Sequence, residues 1–323
     1  RARMRLLALG GRARLSGLAS PRALGTAPRT PAPGAVLRLA VLAAFVWGCG
    51  GTELVGVRNF RRVSARLPDV YRSAAPETLT ALDVESLKRL RVHCVIDLRN
   101  QDEITKARAK ATPEGLELAG CLDAGGFGNM RREHIPVLND MDSFWDSVES
   151  QLPPLRKAES IVYRALDGER LNQLLYSALS EGGNAKLNTA MLEASAAAFG
   201  RALRATAAAI ASGDGVLLHC AYGKDRTGVL AALLQLAVGD SDAEIVDAYG
   251  LSEKILGPRT FLAETRSEQA EGADLTNLQG SPPEAMASTL KWLQSRPGGV
   301  NGYLASTGCT DEWRAQLLAG RAS

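Results

Sequence analysis

An α/β fold, with a central and mostly parallel sheet flanked by helices, is predicted by three features of the sequence. A short, unbroken apolar run stands at residues 216–218, and a mostly apolar stretch of strand length, interrupted by His93 and Asp97, stands at 92–98, as strands buried in a sheet require. Helix-length stretches accompany them: 79–90 is amphipathic, and 227–238 is apolar with few breaks. Gly-Asp-Gly at 213–215 and Gly-Asp-Ser-Asp at 239–242 separate such stretches with residues that favour turns. The composition agrees, since 46% hydrophobic and 23% charged residues in a chain of 323 are ordinary for one large or two small globular domains.

Residues 1–52 stand apart. They hold eight arginines and no Lys, Asp or Glu, which is the composition of a targeting segment, cleaved or disordered in the mature protein. Two readings stay open. One is a mitochondrial or plastid presequence. The other is a bacterial export signal, with the apolar run 39–47 as its core and Cys49 as a lipid acceptor. Without this segment the chain carries 30 basic against 35 acidic residues, so nothing in its charge calls for a nucleic-acid partner.

The domain proper is expected over residues 53–323. Val70-Tyr71-Arg72 is a short strand after Pro68-Asp69. The helix at 79–90 ends in Lys88, Arg89 and Arg91, which suit its C-terminus. The strand at 92–98 follows, with Asp97 and Arg99 paired at its end, and Gln101-Asp102-Glu103 opens another helix. Residues 134–137 read as a strand leading into the loop Leu138-Asn139-Asp140-Met141-Asp142. Residues 144–186 are polar and poorly periodic, with Pro153-Pro154 and Gly182-Gly183 as breakers, and read as a variable, lid-like insertion spanning about 141–186. An Ala-rich helix is predicted at 187–212 and is ended by Gly213. Further helices are expected at 243–249, from Ser281-Pro282-Pro283-Glu284 onward, and at 298–304 and 310–318.

The chemistry gathers where the strand at 216–218 meets the helix at 227–238, in His219-Cys220-Ala221-Tyr222-Gly223-Lys224-Asp225-Arg226-Thr227-Gly228. A tight strand-to-helix turn directs successive N–H groups into one concavity, and the helix behind adds a positive dipole end. Such a nest favours thiolate over thiol, so Cys220 reads as a nucleophile. Arg226 offers a planar fork for two oxygens of a tetrahedral oxyanion. The amides from Ala221 to Arg226 supply further donors, Lys224 a second cation, and Thr227 a hydrogen bond for the departing thiolate. A nucleotide-binding loop does not fit, because Asp225 rather than Ser or Thr follows Lys224. Three histidines and five scattered cysteines show no paired ligand spacing, so no metal and no other cofactor is expected, and the cysteines are read as reduced.

This loop resembles that of the cysteine-dependent phosphatases, and Gly223-Lys224-Asp225-Arg226-Thr227-Gly228 looks most like the atypical tyrosine/dual-specificity phosphatase family of PtpB and LipA type. Asn59-Phe60-Arg61, Tyr71-Arg72-Ser73-Ala74, Val95-Ile96-Asp97-Leu98-Arg99 and Gly299-Val300-Asn301-Gly302-Tyr303-Leu304 fit the same family in the same order, over roughly residues 53–320. The resemblance implies a cysteine-phosphatase-like domain and hydrolysis of phosphomonoesters through a phosphocysteine. The substrates it allows are phosphotyrosine, phosphoserine, phosphothreonine and phosphoinositides. It brings Arg61 and Arg72, by default solvated charges, near the phosphate loop, and makes His219 an orienter of that loop. Relatives carry an Asp about three residues after the matching Pro; here Asn139 stands there and Asp140 follows. Asp225 is the other candidate acid, since repulsion from bound phosphate favours its protonated form. Tyr222 stands where relatives have a small residue. Two rival readings remain: a catalytically silent phosphate- or phosphoinositide-binding module, and a rhodanese- or arsenate-reductase-like cysteine enzyme.

Overall fold

The computed structural model describes residues 54–117, 130–257 and 275–319. Residues 1–52, read above as a targeting segment, lie outside the described residues, Cys49 among them. A hairpin opens the domain: β1 (Arg61–Ser64) and β2 (Leu67–Ser73) pair antiparallel, with Arg61 opposite Arg72. After a 3-10 turn at Pro76–Thr78 comes α1 (Ala81–Arg89). Thr80 and Asp83 cap it reciprocally, satisfying donors that the first turn leaves orphaned. β3 (Val92–Asp97) follows, then α2 (Gln101–Arg108), started by the same device from Asn100 and Glu103.

β4 (Arg131–His134) leads to three helices: α3 (Met141–Ser150), α4 (Pro154–Leu166) and α5 (Gly168–Ala194). The chain then runs through α6 (Ala196–Ala211), β5 (Gly215–His219), α7 (Asp225–Ala237) and α8 (Asp242–Leu256). A second 3-10 turn, Thr276–Leu278, precedes α9 (Pro283–Ser295), α10 (Gly299–Ser306) and α11 (Asp311–Ala319).

The five strands form one sheet in the order β1-β2-β5-β3-β4, and every pairing beyond the opening hairpin is parallel. β5 is central and buried along its whole length, which explains its unbroken apolar run. Its last residue, His219, stands opposite Ser73 of β2 and Asp97 of β3. Cys220 therefore emerges at the carboxyl end of the sheet's middle, between two neighbouring strand tips, where open α/β sheets place their sites.

Three expectations change. Residues 144–186 are not a polar connection but helices α3, α4 and most of α5. The reading of poor periodicity fails in α4, whose apolar residues do lie along one helical side; unusually, that side, with Leu155, Ile161, Val162 and Leu166, is the exposed one, while Ser160 is buried. Gly182-Gly183 interrupts without ending: α5 kinks at Gly183 (φ 55°) and continues. The single helix expected at 187–212 breaks at Ser195, whose Oγ accepts the Leu138 N–H at 3.1 Å; Leu138 has a positive φ of 64°. Finally, the strand expected at 134–137 lies earlier, ending at His134, and Ile135 and Val137 donate to the Asp97 and Leu98 carbonyls outside the regular ladder.

Candidate active site

The loop after β5 is held by its carbonyls. Ala75 N–H donates to the Ala221 oxygen at 3.0 Å. Asn59 Nδ2 donates to the oxygens of Tyr222 (3.0 Å) and Gly223 (2.9 Å), and Arg72 Nη2 to that of Gly223 at 2.6 Å. In a trans peptide the N–H points away from the preceding C=O, so three carbonyls bound from outside leave the N–H groups of Tyr222, Gly223 and Lys224 facing the concavity. Gly223 makes the turn possible. Its φ is +63°, and a Cβ there would lie 2.0 Å from the Ser73 oxygen, so no other residue fits.

The bracket is itself braced. Arg61 donates to Asn59, to the Ala248 oxygen (3.1 Å) and to Ser252 Oγ (2.9 Å). Arg61 and Arg72 are 3% and 2% exposed, so they serve the loop and are not solvated surface charges. Burial lowers the Arg72 pKa to about 10 against the opposing charges of Cys220, Tyr249 and Asp225; it still carries its charge at neutral pH.

Beneath the loop, His219 lies with Nε2 3.7 Å from Asp97 Oδ2 and Nδ1 3.4 Å from the Cys220 oxygen. Burial pushes its pKa below the usual histidine range despite the Asp97 charge. Asp97 takes Arg99 through both oxygens (2.9 and 2.8 Å) and Arg132 at 3.1 Å. Burial works to raise the Asp97 pKa, but His219, Arg99 and Arg132 together hold it well below the usual carboxylate range. The Asp97–Arg99 pair expected at the strand end is thus present, as part of a larger buried network that also includes Glu77, 2.7 Å from Arg99 Nη1.

The first turn of α7 contributes Asp225, Arg226 and Thr227. Arg226 is 1% exposed and grips Glu103 with both arms, Nη1 to Oε2 at 2.6 Å and Nη2 to Oε1 at 2.5 Å. Both Arg226 and Arg72 lie within electrostatic reach of Cys220. Burial works to raise the Glu103 pKa, yet the Arg226 hydrogen bonds and charge hold it below its ordinary value. The sequence marks Glu103 only as part of a helix start. Its spacing from Asn100 signals a cap, and nothing local signals that it also orients the arginine.

The other expected site residues separate. Lys224 is fully buried, and its ammonium donates to Asp225 Oδ1 (2.8 Å), the Gly280 oxygen (2.7 Å) and the Leu278 oxygen (3.4 Å). Asp225 is 2% exposed, within electrostatic reach of both arginines. Asp140 is exposed and caps α3, accepting from the N–H groups of Asp142 and Ser143 and from Ser143 Oγ. The Ser143 hydroxyl and these amides hold its carboxyl below the usual range. Thr227 Oγ1 is buried without a hydrogen-bond partner. Ala221 and Tyr222 line a cavity of about 490 Å³ between the loop, α2 and the end of α8. Cys94, Cys220 and Cys309 are free thiols.

Comparisons with known proteins give the family and several similar proteins. A family model described as the tyrosine phosphatase family matches residues 53–320. A tyrosine-protein phosphatase of Nostoc commune is 36% identical over 109 residues, which span 32% of this chain and 37% of that protein. The triple specificity protein phosphatase PtpB of Mycobacterium tuberculosis is 24% identical over 276 residues, covering 79% of this chain and 93% of that one. The crystal structure of Pseudomonas aeruginosa TpbA aligns at 16% identity with a TM-score of 0.30, over 78% of this chain and 91% of that chain.

Proposed function

The chain belongs to the tyrosine phosphatase family and is a hydrolase of protein-tyrosine-phosphatase type, and we propose that it works through a phosphocysteine on Cys220. The observation that carries this reading is the outward binding of the Ala221, Tyr222 and Gly223 carbonyls. It turns the intervening amides toward the thiol and toward a phosphate resting on it.

In the first step the Cys220 thiolate attacks phosphorus in line. The S–P bond forms as the P–O bond to the leaving group breaks, while Arg226 and the loop amides hold the equatorial oxygens. Asp225 gives its proton to the leaving oxygen. An ion-paired carboxylate must first take up that proton, and when it does, the Lys224 ammonium keeps the Gly280 and Leu278 oxygens as partners. In the second step water attacks phosphorus, Asp225 takes its proton, and the S–P bond breaks to free inorganic phosphate. Thr227 Oγ1, buried and unpaired, donates to the returning thiolate. Asp140 is left to its capping role.

PtpB is a triple specificity phosphatase by name, and we extend breadth of substrate to this chain: phosphotyrosine first, with phosphoserine, phosphothreonine and phosphoinositides open to test. Residues 1–52 are taken as its targeting segment, which a fluorescent fusion would reveal by its compartment.

The test is phosphate release in chelator from phosphotyrosine and phosphoserine peptides and from phosphoinositides, for wild type and Cys220→Ser. Release by wild type alone is expected. Undiminished release by Cys220→Ser overturns the mechanism, and phosphate binding without turnover makes the chain a binding module. For the acid, Asp225→Asn should lose most on the poorest leaving group and Asp140→Asn should show no such trend; the reverse pattern reassigns it.

A further inference from the structure

The face of α2 that meets the loop arginine continues beyond it. Glu103 holds Arg226, and Lys106, Ala107 and Lys110 follow at intervals of three, four and seven residues, which is the spacing of one helical face. These residues line the same cavity as Ala221 and Tyr222. At a rise of about 1.5 Å per residue, Lys106 stands roughly 5 Å and Lys110, on the turn after the helix, roughly 10 Å along the axis from the carboxylate that marks Arg226.

The remaining charges of the cavity are already engaged. Arg58 donates to the Ile255 and Leu256 oxygens, Arg99 is held by Asp97 and Glu77, and Glu103 is held by Arg226. Lys106 and Lys110 are exposed, and no acidic group among the described residues pairs with either. Among the charged groups the cavity lining also carries an apolar set: Ala75, Ala107, Leu256 and the half-buried ring of Tyr222. A wall of this kind suits an aryl ring. Lys224, the loop's own cation, is turned into the protein and so is not offered to a further headgroup phosphate.

Resting on the phosphatase reading above, we propose that Lys106 and Lys110 form a second anion subsite, which selects phosphotyrosine peptides carrying a further acidic group beside the phosphotyrosine. The further group is a carboxylate or a second phosphate. The scissile phosphate lies in the loop, the aryl ring lies against Tyr222 and Ala107, and the second anion reaches the two ammonium groups. This gives Tyr222 a function as the aromatic side of the ring slot.

The experiment compares kcat/KM for three phosphotyrosine peptides, with acidic, neutral and basic residues flanking the phosphotyrosine, in wild type, K106Q/K110Q, K106R/K110R and K106E/K110E. Exposed pairs of this kind are worth up to about fivefold for each lysine, so the acidic peptide should lead the neutral one by roughly two- to thirtyfold at low salt. The difference should reside in KM. The ratio should fall to about one in K106Q/K110Q, return in K106R/K110R, and favour the basic peptide in K106E/K110E, and molar salt should erase it. Equal turnover of the peptides by wild type, or a preference that survives K106Q/K110Q, overturns the subsite.

A soluble short-chain phosphoinositide bisphosphate forms a further arm. If K106Q/K110Q impairs its turnover while the peptide ratio stays fixed, the lysines read a lipid headgroup and the peptide assignment fails. Para-nitrophenyl phosphate separates the two levels of inference. It carries no second anion, so its hydrolysis by wild type without any peptide preference sinks the subsite alone, and failure to hydrolyse it sinks the phosphatase reading. All three double variants change exposed side chains, and equal thermal midpoints verify that they are folded.

Discussion

At the end of β5 charge is buried, and on α4 apolar surface is exposed. Arg72, Asp97, Arg99, Lys224 and Arg226 are each 3% exposed or less, and every one of them meets an opposite charge or a carbonyl. Helix α4 presents Leu155, Ile161, Val162 and Leu166 at 51–80% exposure. Its arginines pair at the surface with neighbouring helices, Arg156 with Glu181 at 2.8 Å and Arg164 with Glu149. Burying so many ions is costly, and well-packed apolar groups would be cheaper in stability. The cost is tolerated where fixed donors must await a dianion without reorganising. The surface helix carries no such demand, so the same residue types matter little there. The contrast makes graded predictions.

The largest effect belongs to Arg226. Arg226→Lys keeps the charge but loses the fork that meets Glu103 on one side and the phosphate on the other, so kcat should fall by roughly 10²–10³. A loss under tenfold would mean that the guanidinium is structural only. Next comes its partner. Glu103→Gln leaves a buried guanidinium without its carboxylate and should cost about 3 kcal/mol in urea unfolding; a change within 0.5 kcal/mol, the ordinary range for surface sites, would erase the distinction between the two regions.

Proton linkage is smaller and has a definite sign. Unfolded histidine takes a proton through a pH of about 6.5. Buried His219 takes it only at lower pH, so the unfolded state binds more protons in between. The stability associated with His219 is full above that pH and declines as pH falls toward the folded value. Asp97 and Glu103, held low, add a second decline below about pH 4.5, where unfolded carboxyls protonate. The urea midpoint should therefore fall between pH 7.5 and 5.5, and His219→Asn should flatten that segment. An equal fall in the variant would place the proton elsewhere.

Smallest are the surface changes. Asp140→Ala removes a helix cap and should lower the unfolding midpoint slightly. Leu155→Gln with Leu166→Gln should stay within about 0.5 kcal/mol of wild type and leave phosphate release intact. A large destabilisation by that pair would show that the α4 face is covered in solution.

What the sequence reveals follows the same division. The loop from Cys220 to Thr227 is legible because its chemistry is contiguous, and β3 and β5 are legible because buried strands must be apolar. The bracket is not, since Arg72 meets Gly223 across 151 residues and Arg226 meets Glu103 across 123; only strand order and register bring them together. Resemblance, rather than periodicity, pointed to Arg61 and Arg72. The sequence of α4 has helical periodicity, but not the information that its apolar side faces outward. The break at Ser195 depends on a partner, Leu138, that lies 57 residues away.

The central claim is a covalent bond between phosphorus and Cys220, and rapid quench with a ³²P-labelled phosphotyrosine peptide tests it directly. The label should appear on the peptide containing Cys220 within the first turnover, should be released in mild acid but retained in alkali as an S-phosphocysteine is, and should be absent from Cys220→Ser. Label on a different residue, or turnover with no labelled protein at any quench time, would contradict the account.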